Sequence, residues 1–220
     1  MQRPGYLITF EGLDGCGKTT QLALAAEHLH AQGARVAATK EPGGTPLGQQ
    51  LREILMNAAP GTLSPLTELT LMFAARAQHI EQVILPALGS GAIVLCDRFT
   101  DSSVAYQGYG HGVPLETVRA LDHLLCQGVR PHLTLLLDID APTSASRTGT
   151  RNQVVQQVAS RFEQEGRPFF ERVRAGYQEI ARQEPQRVQV IDGTASLADV
   201  HRAMLQKIDR FLKRGDRGGL

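Results

Sequence analysis

Residues 12–19 read G-L-D-G-C-G-K-T and follow directly on an apolar run at 6–10. No other stretch limits the fold so strongly. The glycines of a G-x-x-x-x-G-K-[ST] loop take backbone angles closed to other residues and let successive N–H groups converge on phosphate. The lysine reaches the outer phosphates, the threonine hydroxyl suits Mg²⁺, and the helix that must follow from Lys18 adds the positive end of its dipole. A loop of this kind works only between a buried strand and a helix. It therefore commits the chain to a βα unit and to a nucleoside triphosphate, held by Gly12, Leu13, Asp14, Gly15, Cys16, Gly17, Lys18, Thr19 and Thr20.

The rest of the chain repeats that alternation. Apolar runs at 35–38, 93–96, 133–137 and 188–191 have the Val/Ile/Leu content of strands covered on both faces. Between them, helical periodicity marks 18–31, 46–56, 65–88, 115–127, 161–182 and 197–212. Strands separated by helices imply right-handed crossovers and an α/β fold: a doubly wound, five-stranded parallel sheet of the P-loop type flanked by helices. The polar stretch 143–160 is broken by Thr148-Gly149-Thr150 and reads as a functional loop or lid. In the 65–88 helix, Phe73 and Arg76 lie about one turn apart, and periodicity alone assigns Phe73 to the core.

Composition narrows the partners. With 220 residues and 42% hydrophobic content the chain suits one compact unit, residues 1–213, followed by a frayed tail at 214–220. A net charge of +1, no tryptophan and 5% aromatics argue against a nucleic-acid-binding surface. Cys16, Cys96 and Cys126 are widely spaced, as expected of free thiols in a reducing compartment. No run approaches the ~18 apolar residues of a membrane span, and no signal segment opens the chain, so we expect a cytoplasmic protein without membrane contact.

A second phosphate-site element lies at 92–97, A-I-V-L-C-D, where Asp97 emerges at a strand's carboxyl end to join Thr19 at the metal, with Arg98 beside it. The Asn-Lys-x-Asp element of guanine-specific proteins is missing; 137–140 is L-D-I-D, which favours ATP.

Four motifs now occur in order: F-E-G-L-D-G-C-G-K-T-T (10–20), E-P-G-G-T (41–45), F-A-A-R-A-Q (73–78) and D-R-F-T-D-S-S-V-A-Y-Q-G (97–108). Together they resemble thymidylate kinases, the dTMP kinases, from residue 10 to about 192. The resemblance implies transfer of the ATP γ-phosphoryl group to dTMP with Mg²⁺. It assigns the dTMP site to Glu41, Pro42, Arg52, Phe73, Arg76, Arg98, Ser103, Tyr106 and Gln107. Phe73 would stack on thymine, Arg76 would contact its edge, Arg98 would hold the acceptor phosphate, and Tyr106 would crowd the 2′ carbon. Asp14 fits an acidic position near the acceptor ribose or the metal. An acceptor phosphate is already anionic, so no general base is needed, and positioning with charge neutralisation carries the reaction.

The loop has no basic residue between Gly12 and Gly17, a pattern that resembles bacterial members whose catalytic arginines sit in the lid. Arg147 and Arg151 are those candidates beside Lys18 and Arg98, and Arg161 and Glu163 resemble an element that closes the lid. Here Ser160 replaces the family's Asp, and 152–159 are rich in Gln and Val. Family members are homodimers, which implies one here. Two rivals remain: a kinase for another monophosphate or a deoxynucleoside, the latter needing a base such as Glu11 or Glu41, and a non-catalytic nucleotide switch.

Overall fold

The structure is a computed structural model and describes residues 5–59, 61–155 and 161–215. Five strands form one wholly parallel sheet: β1 (Tyr6–Glu11), β2 (Val36–Lys40), β3 (Ile93–Asp97), β4 (Leu133–Asp138) and β5 (Val188–Asp192), in spatial order β2-β3-β1-β4-β5. β1 is central, in register with β3 from Tyr6–Ile93 to Phe10–Asp97 and with β4 from Ile8–Leu133 to Glu11–Leu136. Its carboxyl end therefore opens between the ends of β3 and β4, where an open α/β sheet binds its ligands. Leu7, Ile8, Phe10, Val94, Leu95, Leu135 and Leu137 are buried on the two faces, as the continuous apolar runs require. The flanking strands β2 and β5 are more exposed because each is an edge.

The helices are α1 (Lys18–Ala31), α2 (Pro46–Asn57), α3 (Pro65–His79), α4 (Leu85–Gly89), α5 (Thr100–Ser103), α6 (Leu115–Leu125), α7 (Ala141–Val155), α8 (Arg167–Gln183) and α9 (Leu197–Gly215). Two start signals are plain in the sequence. Thr45 caps α2 by accepting from the Gly48 N–H (2.9 Å), and Ser64 caps α3 by accepting from the Thr67 N–H (3.2 Å), each followed by proline at the first helical position.

Several boundaries depart from the periodicity. The helix expected over 65–88 passes through a wide π turn, Ile80–Ile84, before α4. Pro86 lacks an N–H and disrupts the i→i−4 ladder there. The helix expected over 161–182 begins only at Arg167: Phe162–Gln164 is a 3₁₀ turn, and Pro168 fits a helix only in its first turn. Residues 141–155 are helical straight through Thr148-Gly149-Thr150, which corrects the loop expected there. Thr148 and Thr150 return their hydroxyls to the carbonyls of Ser144 and Ser146, so the polar side chains are satisfied within the helix. Residues 156–160, the rest of the expected lid, lie outside the described residues, as do 216–220 of the expected tail; α9 includes Lys213 to Gly215. Sequence periodicity also missed α5 and the π-helical stretch Val104–Gly110 that continues it.

Candidate active site

The 12–19 loop leaves β1 with Gly12, Gly15 and Gly17 at φ of 136°, 76° and 99°. A side chain at Gly12 would also place a Cβ 2.4 Å from the Leu137 carbonyl oxygen. Lys18 folds back on its own loop, donating from Nζ to the carbonyls of Gly12 (3.0 Å) and Leu13 (2.8 Å). Thr19 Oγ1 donates to Asp97 Oδ2 at 2.5 Å, which joins the loop to the end of β3. These groups line a cavity of about 880 Å³ together with Lys40, Arg147 and Arg151.

A second cavity, of about 390 Å³, lies alongside, between α2, α3 and the 100–110 segment. Asp14, Glu41, Arg52, Arg98 and Arg151 line both. Three guanidinium groups thus stand where the two spaces meet. Arg98 is the best fixed: Nη1 donates to Gly12 O, Ser102 Oγ and Tyr177 Oη (3.1 Å each), and Nη2 to Asp14 Oδ1 (2.8 Å) and Tyr106 Oη (3.2 Å). Its φ of 72° is left-handed, a strained conformation for a side chain of this size and one concentrated at functional sites. Burial opposes the Arg98 charge, but Tyr106, Asp14 and Tyr177 raise its pKa well above the usual value. Burial alone would raise the Asp14 carboxyl; the Arg98 and Lys18 cations more than offset it and lower its pKa. Arg52 donates to Pro42 O (3.1 Å), and burial together with nearby Arg98 lowers its pKa. Cations crowded in this way favour an anion between them.

At the far end of the second cavity, Arg76 on α3 is almost wholly buried. Its Nε donates to Glu41 Oε2 (2.6 Å), and Nη2 donates to Phe99 O (3.2 Å) and Ser103 Oγ (3.0 Å). Burial works against this charge, and Glu41 raises the pKa in spite of it. The remaining nitrogen, Nη1, is buried without a hydrogen-bond partner. Gln107 lines the same cavity and donates Nε2 to Glu68 Oε1 (2.7 Å). Its Oε1 finds no donor among the described residues. Arg76, with one unpartnered N–H donor, and Gln107, with one unpartnered carbonyl among the described residues, thus line the same cavity.

Glu41 spends its second oxygen on His79 Nδ1 (2.8 Å), and His79 Nε2 lies 2.7 Å from Thr39 Oγ1. The His79 ring explains the second glycine of E-P-G-G-T, since a Cβ on Gly44 would lie 2.3 Å from Nε2. Glu41, His79 and Cys96 bring their potential ligand atoms within 4.8 Å of one another. They do not suit a metal: Arg76 occupies the carboxylate, both imidazole nitrogens are engaged, and burial pushes the Cys96 thiol well up.

The structure corrects the expected position of Phe73. Its ring is fully buried in the core under α3, against Leu69, Val94 and Phe99, and Met72 lines the cavity instead. Arg76 follows Met72 by four residues and Phe73 by three. Either spacing is about one turn, and only packing decides which side chain turns inward. Phe73 still meets the Arg76 guanidinium, 4.6 Å from its ring centroid.

The two arginines of α7 are placed differently. Arg147 donates to Gly193 O (2.8 Å) and lines the larger cavity only, while Ser144 of the same helix donates to Asp14 O (2.7 Å) and seats α7 on the loop. Arg151 pairs with Glu163, is half exposed, and lines both cavities. Arg161, which resembles the arginine of a lid-closing element, lines neither: it is buried on Glu68 and on Leu55 O (3.2 Å). Tyr177 on α8 donates to Glu11 Oε2 (2.8 Å) and accepts from Arg98. No local signal gives that contact, because α8 and β1 meet only in the folded chain. Met72 and Glu68 were likewise missed.

The family model described as thymidylate kinase matches residues 10–204. A thymidylate kinase of Pelotomaculum thermopropionicum is 46% identical over 217 residues, 97% of this chain and 99% of that one. One of Pelobacter propionicus is 44% identical over 205 residues, 93% and 94% of the two chains. The crystal structure of thymidylate kinase from Ehrlichia chaffeensis superposes with a TM-score of 0.75 at 35% identity, over 93% of this chain and 99% of that one. A P-loop sheet, two cavities meeting at three arginines, and full-length likeness to these proteins lead to one assignment: the chain belongs to the thymidylate kinase family.

Proposed function

We propose that this chain is a thymidylate kinase that transfers the γ-phosphoryl group of ATP to dTMP, giving ADP and dTDP. The observation that carries the choice of acceptor is the pair of unmet groups at the end of the smaller cavity. Thymine offers a carbonyl acceptor at C4 beside an N3–H donor, the complement of Arg76 Nη1 and Gln107 Oε1. Met72 forms a polarisable floor for the ring, and Tyr106 and Ser103 border the sugar.

The phosphate of dTMP then falls at Arg98 and Arg52, and the triphosphate lies on the 12–19 loop with Lys18 at its outer phosphates. Arg151 stands at the junction, where charge spreads over the transferring group. The acceptor oxygen is anionic already, so the work is to align two anions and neutralise them. Both oxygens of Glu41 are committed to Arg76 and His79, and Glu11 is committed to the Phe99 N–H (2.7 Å), Ser102 and Tyr177. Neither is free to deprotonate a hydroxyl, which argues against a deoxynucleoside acceptor. Thr19 Oγ1 and Asp97 Oδ2 are hard oxygen donors that fit Mg²⁺, which when bound neutralises charge on the donor phosphates.

In this reading residues 1–213 act as one catalytic unit whose lid spans about 143–160. The chain works as a homodimer, for which exposed Leu66 on α3 and Leu124 on the adjoining α6 offer apolar surface. Three free, buried cysteines suit the cytoplasm, and among the described residues no helix is long and apolar enough to cross a membrane. A coupled assay with ATP across dTMP, dUMP, dCMP, dGMP and thymidine tests the proposal. The expected result is highest kcat/KM for dTMP; preference for thymidine, or ATP hydrolysis indifferent to dTMP, refutes it.

A further inference from the structure

Behind Gln107 lies a chain of groups whose hydrogen-bonding character is fixed at each link. Arg161 can only donate, and its Nη2 donates to Glu68 Oε2. An ionised Glu68 can only accept. It is 1% exposed, it takes Arg161 on one oxygen and Gln107 Nε2 on the other (2.7 Å), and His111 Nε2 lies 3.5 Å from that second oxygen. Gln107 alone could face either way, because its amide carries a donor and an acceptor of nearly equal size. With a carboxylate behind it, only the NH₂ can turn back, and the carbonyl is left for the cavity. None of these three residues is exposed enough for water to take over the role: Gln107 is 2% and Arg161 8% accessible.

We infer that Glu68, oriented by Arg161, is the specificity-determining residue that fixes the polarity of Gln107 and thereby excludes cytosine from the base site. The inference rests on the reading that the smaller cavity takes the base. Thymine and uracil present N3–H to the amide carbonyl. Cytosine presents a bare N3 there, and an amino group towards Arg76, so two acceptors and two donors would face each other. Glu68 touches no part of the substrate in this account; it is a positioning residue acting through Gln107.

Glu68→Gln should reverse the Gln107 amide. Arg161 still requires an acceptor, so it takes the new Oε1. The new NH₂ then faces Gln107, which must turn its carbonyl back and offer its NH₂ to the base. A nearly isosteric change should therefore move selectivity towards cytosine. Steady-state kcat/KM for dTMP, dUMP and dCMP would be measured on the full chain, with Arg161→Met as a second variant that releases Glu68 and loosens the amide. The three acceptors share one phosphate and sugar, so effects on the lid or on the phosphate site cancel in their ratios. The dTMP/dCMP ratio should fall at least ~10²-fold in Glu68→Gln and in the same direction, by less, in Arg161→Met, with dTMP/dUMP unchanged.

Equal losses for dTMP and dCMP would overturn the inference, because a merely structural role lowers both alike. Should Glu68→Gln fail to fold, the Arg161→Met ratio decides. Arg76→Met separates this failure from that of the underlying reading: an unaltered KM for dTMP means the cavity does not take the base, whereas a raised KM beside an unmoved ratio refutes the relay alone.

Discussion

Removing one of the two α7 guanidinium groups should impair a different step from removing the other. Arg151 lines both cavities, is half exposed, and is held by Glu163 and by Asn152 Oδ1 (3.4 Å), all on the rim. Its guanidinium is half exposed, so the pair adds little to stability and Arg151→Ala should fold normally. Two unit charges 4 Å apart at an effective dielectric near 20 interact by about 4 kcal/mol. Solvent exposure and the Glu163 charge reduce that, which leaves ~3 kcal/mol for charge that develops only in transfer. The single-turnover rate at saturating ATP and dTMP should accordingly fall ~10²-fold. Arg147 borders only the larger cavity and is anchored on Gly193 O past the end of β5. Arg147→Ala should raise the KM for ATP ~10-fold, about 1.4 kcal/mol of ground-state binding, and leave the saturated single-turnover rate within a few-fold. Rapid-quench measurement of dTDP formation separates the two. A rate for Arg151→Ala within threefold of the parent would refute the assignment, as would equal loss of rate in both variants.

Two other substitutions test the remaining assignments. Phe73→Ala should cost about 3–5 kcal/mol in denaturant unfolding, because it empties a fully buried ring site, whereas Met72→Ala should leave stability nearly intact and raise the KM for dTMP; a higher KM in Phe73→Leu than in Met72→Ala would reverse the roles. Glu11, pushed up to about 7 mainly by burial and by nearby Asp101, binds its proton more tightly folded than unfolded. Its contribution to stability is therefore complete below about pH 4.5 and is lost as pH rises to about 7, at up to about 1.4 kcal/mol per unit. Urea unfolding of the wild type and Glu11→Gln should diverge between pH 5 and 8, the wild type losing ground, and parallel profiles would exclude this coupling.

How much of this was readable beforehand depends on the distance over which each fact is decided. The 12–19 loop, the five strands and two helix starts follow from local composition: glycines that take positive φ, apolar runs too continuous for an exposed sheet, and Pro after Thr45 and Ser64. The helix over 141–155 reads as a loop in the sequence because Thr148, Gly149 and Thr150 argue against a helix in isolation. Packing of α7 on the loop overrides that weak preference, with Arg147 Cβ and the Ser144 carbonyl both 3.1 Å from where a Gly15 Cβ would stand. That contact also runs the other way: α7 can approach so closely only because position 15 has no side chain, so the glycine serves the lid as much as the phosphate.

The base site is only half legible in the sequence for the same physical reason. Resemblance identified F-A-A-R as the relevant turn, yet a helix presents the residues three and four before Arg76 on neighbouring lines, and their order is settled by which one the core can absorb. The space against Leu69, Val94 and Phe99 accepts a flat ring that meets the Arg76 guanidinium, and Met72 is left to the cavity. Arg161 was displaced for a related reason. A buried carboxylate at Glu68 requires a cation, and α3 supplies none towards it, since Arg76 is already committed to Glu41. The nearest cation along the chain fold comes from the residue where the described lid resumes. A residue that resembles a lid-closing arginine in sequence is thereby drawn in behind the base site, and its charge acts on the base only through Glu68 and Gln107.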